Sequence, residues 1–353
     1  MKKKLFIALS IGIFIFSCKD RNAYTLTGNF IGNIPDSTYV YLQSFNGRTL
    51  TAIDSAIVEN GRFFFNGIAS DTPCVRNIYV EGASSYALFV LEKGDIAMTI
   101  DTAYAASIGG TPMNDAMQQF ADKTDELFAG IENESDAKTS KELMAELRHV
   151  IYDYVKPNIA NPVGEYFFLN NSYYLEENDI LELIAASSPQ FKENERVQRV
   201  EKLANARIVT AAGATFADVT GLTPDGKEAA LSDYAGKGKV VLVDFWASWC
   251  GPCIRSLPDL KAAYEKYRDK GFEVVGISLD DNAEAWKAAI EKHALVWPQF
   301  SNLKGWGEPS AQTYGINAIP QTVLINQTGT IVLRGIEISR AELEDKLDEL
   351  LNQ

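Results

Sequence analysis

The stretch from Val240 to Cys253 restricts this chain most. Val240-Val241-Leu242-Val243-Asp244-Phe245-Trp246 is an almost unbroken apolar run, the pattern of a strand buried on both faces. Shortly after it comes Trp249-Cys250-Gly251-Pro252-Cys253. Beyond that, Ile254, Leu257, Leu260, Tyr264 and Tyr267 recur at helical spacing. The cysteines therefore fall where a strand gives way to a helix N-terminus. Unpaired N–H groups and the positive dipole end there favour a thiolate at Cys250. Cys253 follows about one turn later, close enough to close a small disulfide. Such a pair suits dithiol–disulfide exchange.

Other uses of the two cysteines fit poorly. A zinc site usually needs four ligands, and no second Cys-x-x-Cys or nearby histidine pair occurs, so no metal is expected. Haem attachment needs a histidine directly after the second cysteine, where Ile254 stands. A purely structural bridge over so short a loop would stabilise little. No cofactor is expected.

The segment resembles the thioredoxin-fold family, with matching features from about Gly213 to the C-terminus. Phe216-Ala217-Asp218, Asp225-Gly226-Lys227, Leu231-Ser232-Asp233-Tyr234 and Gly236-Lys237-Gly238-Lys239 look like the lead-in of its extracytoplasmic TlpA/ResA-type branch. Ala318-Ile319-Pro320-Gln321-Thr322, before Val323-Leu324-Ile325, resembles the second family signature. The resemblance implies a cis Pro320 facing the cysteines. Proline has no N–H, so its neighbour's backbone can pair with an incoming extended chain.

The resemblance also implies roles. Cys250 is the exposed attacking thiol and Cys253 the resolving one. Gly251 and Pro252 set the redox poise. Trp249 covers the thiol and shapes a docking groove, with Ile319 and Pro320 as the opposite lip. Pro258 kinks the helix. Asp244 is the buried proton acceptor for Cys253, its pKa raised by desolvation. Thioredoxins often place a lysine on the following strand near that carboxylate. Here Gly276 aligns with it, so another group tunes Asp244 or its pKa lies higher. Trp286, Trp297 and Trp306 read as packing residues. A peroxiredoxin-like antioxidant enzyme is the alternative within the fold. That family has Pro and Thr before its cysteine where this chain has Val243 and Ala247.

The N-terminus reads as an export signal: Lys2-Lys3-Lys4, an apolar stretch from Leu5 to Phe16, then Ser17-Cys18. That stretch is short for a membrane span. Ser17-Cys18 before polar residues resembles a bacterial lipobox, although Phe16 departs from the small residue usual there. Cys18 would then carry lipid and anchor the protein in the cell envelope, facing the periplasm. The formal net charge of −14 argues against nucleic acid as a partner. The partners implied are exported thiol or disulfide proteins and a membrane electron donor of the DsbD/CcdA type. The Gly-Pro pair matches thioredoxins, and that resemblance implies a reductant.

With 353 residues, several domains are expected. Residues 1–18 form the lipoprotein signal peptide and lipobox. Residues 24–105 read as a small all-β sandwich, punctuated by Asn46-Gly47, Asn60-Gly61 and Lys93-Gly94-Asp95. In arrangement this resembles the β domain of unknown function that precedes thioredoxin domains in some Gram-negative lipoproteins. Residues 111–210 read as a helical region. Residues 213–353 alternate β and α as a thioredoxin-like domain. Cys74 reads as a small core or edge residue. The β part shows no catalytic constellation. A second hypothesis is therefore a binding or scaffold lipoprotein whose dithiol is secondary.

Overall fold

A computed structural model describes residues 22–45, 49–83, 86–132, 139–335 and 339–352. The expected signal peptide, Cys18 and the Asn46-Gly47 turn lie outside the described residues. The chain divides into two compact units, one running to Tyr174 with Ala186–Ser188, the other comprising Leu175–Ala185 and Pro189–Gln353.

The first unit opens with eight strands: β1 (Ala23–Phe30), β2 (Tyr39–Phe45), β3 (Leu50–Ile57), β4 (Arg62–Ile68), β5 (Cys74–Val80), β6 (Tyr86–Leu91), β7 (Gly94–Ile100) and β8 (Ala106–Gly109). They form two four-stranded sheets, ordered β4-β1-β7-β8 and β3-β2-β5-β6. Alternate residues are buried: Leu26, Phe63, Phe65, Ile96 and Met98 in one sheet, Val40, Leu42, Ile78 and Val80 in the other. Period-two burial of this kind gives each sheet an apolar face. Cys74 is a half-buried free cysteine, and burial raises its thiol pKa. Helices α1 (Pro112–Glu132), α2 (Ser140–Val155) and α3 (Pro162–Asn171) follow. Thr139 and Glu142 close a capping box on α2. Phe120 and Phe167 both pack on Tyr154, at 4.5 and 4.9 Å between ring centroids.

The second unit begins with α4 (Glu177–Ala186), α5 (Pro189–Lys192) and α6 (Glu195–Val209). A short hairpin, β9 (Thr220–Leu222) and β10 (Glu228–Ala230), comes next. Then follow β11 (Val240–Trp246), α7 (Gly251–Tyr267), β12 (Phe272–Ser278), α8 (Ala283–Lys292), β13 (Gln299–Phe300), α9 (Pro309–Thr313), β14 (Gln321–Ile325), β15 (Ile331–Gly335) and α10 (Arg340–Leu351). The sheet order is β13-β12-β11-β14-β15. β11 is central, parallel to β12 and antiparallel to β14, and every residue along it is buried. This is the α/β architecture of a thioredoxin-like domain, preceded by β-rich and helical structure. Ser339 Oγ accepts the Glu342 N–H and starts α10. Among the described residues, no helix is long and apolar enough to cross a membrane.

Candidate active site

The buried strand β11 carries the chain to the sheet's edge, and α7 begins four residues beyond Ala247. Cys250 is the N-cap of α7, and its Sγ accepts the Cys253 N–H at 3.2 Å. Pro252 occupies the first turn, where its missing N–H costs nothing. The two cysteines are joined, with S–S 2.05 Å and Cα–Cα 5.3 Å. The expected contrast in exposure is absent: Cys250 is 4% exposed and Cys253 2%. Both belong to the apolar cluster that includes Trp246 and Leu257. The exposed residues of this turn are Trp249, Gly251 and Pro252, with Trp249 at 54%. α7 continues through Pro258 to Tyr267.

Asp280 is a site residue that sequence reasoning missed. It lies just past β12 and is 1% exposed. Its carboxylate accepts from the Ser248 N–H at 2.9 Å, from Ser248 Oγ and from Ser278 Oγ at 2.7 Å. A buried carboxylate needs such donors. Here they fix the backbone two residues before Cys250.

Asp244 projects from the middle of β11. It is cross-strand to Thr322 on β14 and beside Gly276 on β12, so all three share one face. Burial alone pushes its carboxyl from 3.8 to about 7. The lysine common in thioredoxins is absent, as the alignment with Gly276 indicated. A Cβ on Gly276 would lie 2.1 Å from Gln299 Oε1, so the Gln299 carboxamide fills that space. Gln299 Oε1 accepts from Trp246 Nε1 at 3.0 Å. Gln299 Nε2 and Thr322 Oγ1 are buried and make no hydrogen bond among the described residues. Asp244 and Thr322 reach a cleft of about 430 Å³, with Pro320, Arg255, Ser256, Asp259 and Arg340 on its walls.

The Ile319–Pro320 bond is cis. Pro320 is buried and Ile319 packs partly buried against the cluster holding the cysteines. α6 secures the approach to this bond. Arg207 donates from Nε to Gly315 O at 2.9 Å and from Nη2 to Asn317 Oδ1 at 2.6 Å. Gly315 has φ +62°, and a side chain there would strike Arg207 and the Leu203 carbonyl.

Trp286 and Trp297 are buried, as expected of packing residues. Trp306 is the exception. It is 51% exposed and its ring lies 6.1 Å from that of Trp249. Its flanking glycines, Gly305 and Gly307, are a turn signal that the buried pair lacks.

The arrangement supplies a dithiol at a helix N-terminus, a buried carboxyl titrating near neutrality and an exposed aromatic beside the sulfur. The Redoxin family model matches residues 211–351, and a domain of unknown function (DUF4369) matches residues 24–117. The thiol-disulfide oxidoreductase ResA of Bacillus thuringiensis is 30% identical over 129 residues, which are 36% of this chain and 70% of that protein. ResA of Bacillus anthracis is 32% identical over 127 residues, again 36% and 70%. The thioredoxin domain of a thiol-disulfide oxidoreductase from Bacteroides vulgatus is 32% identical, covering 40% of this chain and 99% of that one with a TM-score of 0.37. Sharing that identity over 70% of ResA, the chain belongs to the ResA family of thiol–disulfide oxidoreductases.

Proposed function

We propose that the protein reduces disulfides of exported proteins, with Cys250 as nucleophile and Cys253 as resolving thiol. The observation that carries this is Cys250 Sγ at the N-cap of α7, accepting the Cys253 N–H. An N–H and a helix dipole directed at sulfur stabilise its thiolate. The Cys250 thiolate attacks one sulfur of the substrate disulfide. That S–S bond breaks, a mixed disulfide forms, and the other substrate sulfur leaves as a thiolate. Asp244 takes the proton from Cys253. The Cys253 thiolate then attacks Cys250 Sγ and expels the second substrate thiolate. The substrate gains two electrons, and the protein is left with the Cys250–Cys253 bond. Trp249, Gly251, Pro252, Ile319 and Pro320 form the surface that meets the substrate.

The bridged form must be recharged. A membrane electron donor of the DsbD/CcdA type fits that need, since an oxidising compartment does not supply the electrons. Lipidation of Cys18 would hold the protein at the membrane of the cell envelope, facing the periplasm. The lipobox-like Ser17-Cys18 after an apolar run supports this.

The test uses chain beginning after Cys18. Cys250→Ser is expected to abolish disulfide reduction, and Cys253→Ser to accumulate a mixed disulfide on Cys250. Undiminished turnover by Cys250→Ser would overturn the assignment. In growing cells, thiol alkylation should find the pair largely reduced. A pair that stays oxidised when the resident oxidase is removed would reverse the direction.

A further inference from the structure

Five tryptophans occur in the chain, and three of them are buried. The other two, Trp249 and Trp306, are both about half exposed and meet across 6.1 Å at an interplanar angle of 55°. Such spacing is that of rings in contact. They arrive from separate elements: Trp249 from the turn before α7, Trp306 from the loop between β13 and α9.

That loop is built to hold its shape. Leu303 has φ +55°, an unusual conformation for a residue other than glycine. Glu308 is fully buried, and its carboxylate accepts from the Asn302 N–H at 2.9 Å and from Asn302 Nδ2 at 2.8 Å. Asn302 Nδ2 also donates to Thr220 O at 2.8 Å. A buried carboxyl group and a left-handed leucine are both unfavourable, and they persist only where the surroundings impose them. Here they frame a turn whose large side chain faces outward. Packing of the domain gives no reason for that indole to be on the surface.

The position supplies one. Trp249 is the residue directly before Cys250. A polypeptide joined to Cys250 through sulfur is brought within reach of Trp249, and Trp306 extends the same aromatic surface.

We propose that Trp306 and Trp249 together form a substrate subsite that takes an apolar, preferably aromatic, side chain close to the attacked cysteine of a disulfide-bearing polypeptide. The subsite rests on the assignment of Cys250 as the nucleophile. A small disulfide has no side chain to place there. The subsite therefore favours extended or unfolded polypeptides, whose apolar residues are accessible, over low-molecular-weight disulfides.

The test compares three disulfides with chain beginning after Cys18. Two are peptide disulfides that differ only in having phenylalanine or glycine beside the cysteine. The third is hydroxyethyl disulfide. Wild-type protein is expected to show a higher kcat/KM for the phenylalanine peptide than for the glycine peptide. Trp306→Ala should lower kcat/KM for the phenylalanine peptide by about tenfold, the loss typical of an interface anchor. The rate with hydroxyethyl disulfide should stay within about twofold in that variant, and Trp306→Phe should recover most of the peptide rate. Equal wild-type rates on the two peptides would overturn the subsite, and that measurement needs no variant. A parallel loss on all three substrates would also overturn it, by showing a structural role. If wild-type protein reduced none of them, the failure would lie with the redox assignment of Cys250.

Discussion

Replacing Asp244 with asparagine should stabilise the second unit at alkaline pH and leave it nearly unchanged in acid. The carboxyl ordinarily titrates at 3.8, and burial moves it to about 7 in the folded chain. Between those values the folded state holds a proton that the unfolded state releases. Stability therefore falls as pH rises through this window. Below it both states are protonated and nothing is lost. Above it the folded state carries the whole cost of a buried carboxylate. At about 1.4 kcal/mol for each tenfold change in proton affinity, the window corresponds to about 4 kcal/mol. Asparagine cannot ionise, so Asp244→Asn should gain up to about 4 kcal/mol at pH 8 and almost nothing at pH 4.

Tryptophan fluorescence is suited to the assay, because all five tryptophans lie between Trp246 and Trp306. Urea unfolding of the chain, followed by that signal, reports on the second unit. The shift in midpoint at pH 8 and pH 4 gives the two values. An equal gain at both pH values, or a loss at pH 8, would refute the reasoning. The kinetic counterpart runs the other way. A general base of this kind contributes about 10²-fold or more, so resolution of the mixed disulfide should slow by that factor. Its rise in rate near pH 7 should also disappear.

Thr322→Val removes a buried hydroxyl, cross-strand to Asp244, that makes no hydrogen bond among the described residues; the pH midpoint of resolution should stay where it is and stability should not fall. A midpoint that moves upward would show that the hydroxyl reaches the carboxylate. Asp280→Ala strips three donors from Ser248 and Ser278 of their acceptor, at about 1 kcal/mol or more each. It should cost about 3 kcal/mol in urea unfolding and slow attack by Cys250; a neutral effect would mean that Ser248 is held by other contacts. Mass spectrometry of the mature protein should find lipid on an N-terminal Cys18, and a mature N-terminus elsewhere would count against the anchor.

What the sequence revealed was local. The apolar run of β11, the Trp249–Cys253 turn and the helical spacing of α7 occupy one continuous stretch, and each sets its own backbone. Cys250's burial was not legible, because exposure depends on what packs around the sulfur. Asp280 was hidden for a similar reason. An acidic residue after a strand is ordinarily solvated, and only the return of Ser248 makes it a clamp. β13 has two residues, too few to show a period. Tryptophan tends to be buried, and at Trp306 the pinned loop overrides that tendency.

The missing lysine near Asp244 has a physical reason that links three strands. β12 places residue 276 beside Asp244, and β13 pairs residue 299 with the same position. Gln299 lays its carboxamide over Gly276 and accepts from Trp246, the residue two beyond Asp244 on β11. A lysine at 276 would have to expel that carboxamide and leave the Trp246 indole N–H without a partner in the core. The two arrangements therefore exclude each other. In this chain the residues paired with Asp244 on the two neighbouring strands, Gly276 and Thr322, are both neutral. Among the described residues burial is what moves its pKa, and its proton affinity rises accordingly. A base titrating near neutrality is well matched to taking a proton from a thiol at that pH. On the proposed role of Asp244 as the base, Gly276 acts through the side chain it lacks.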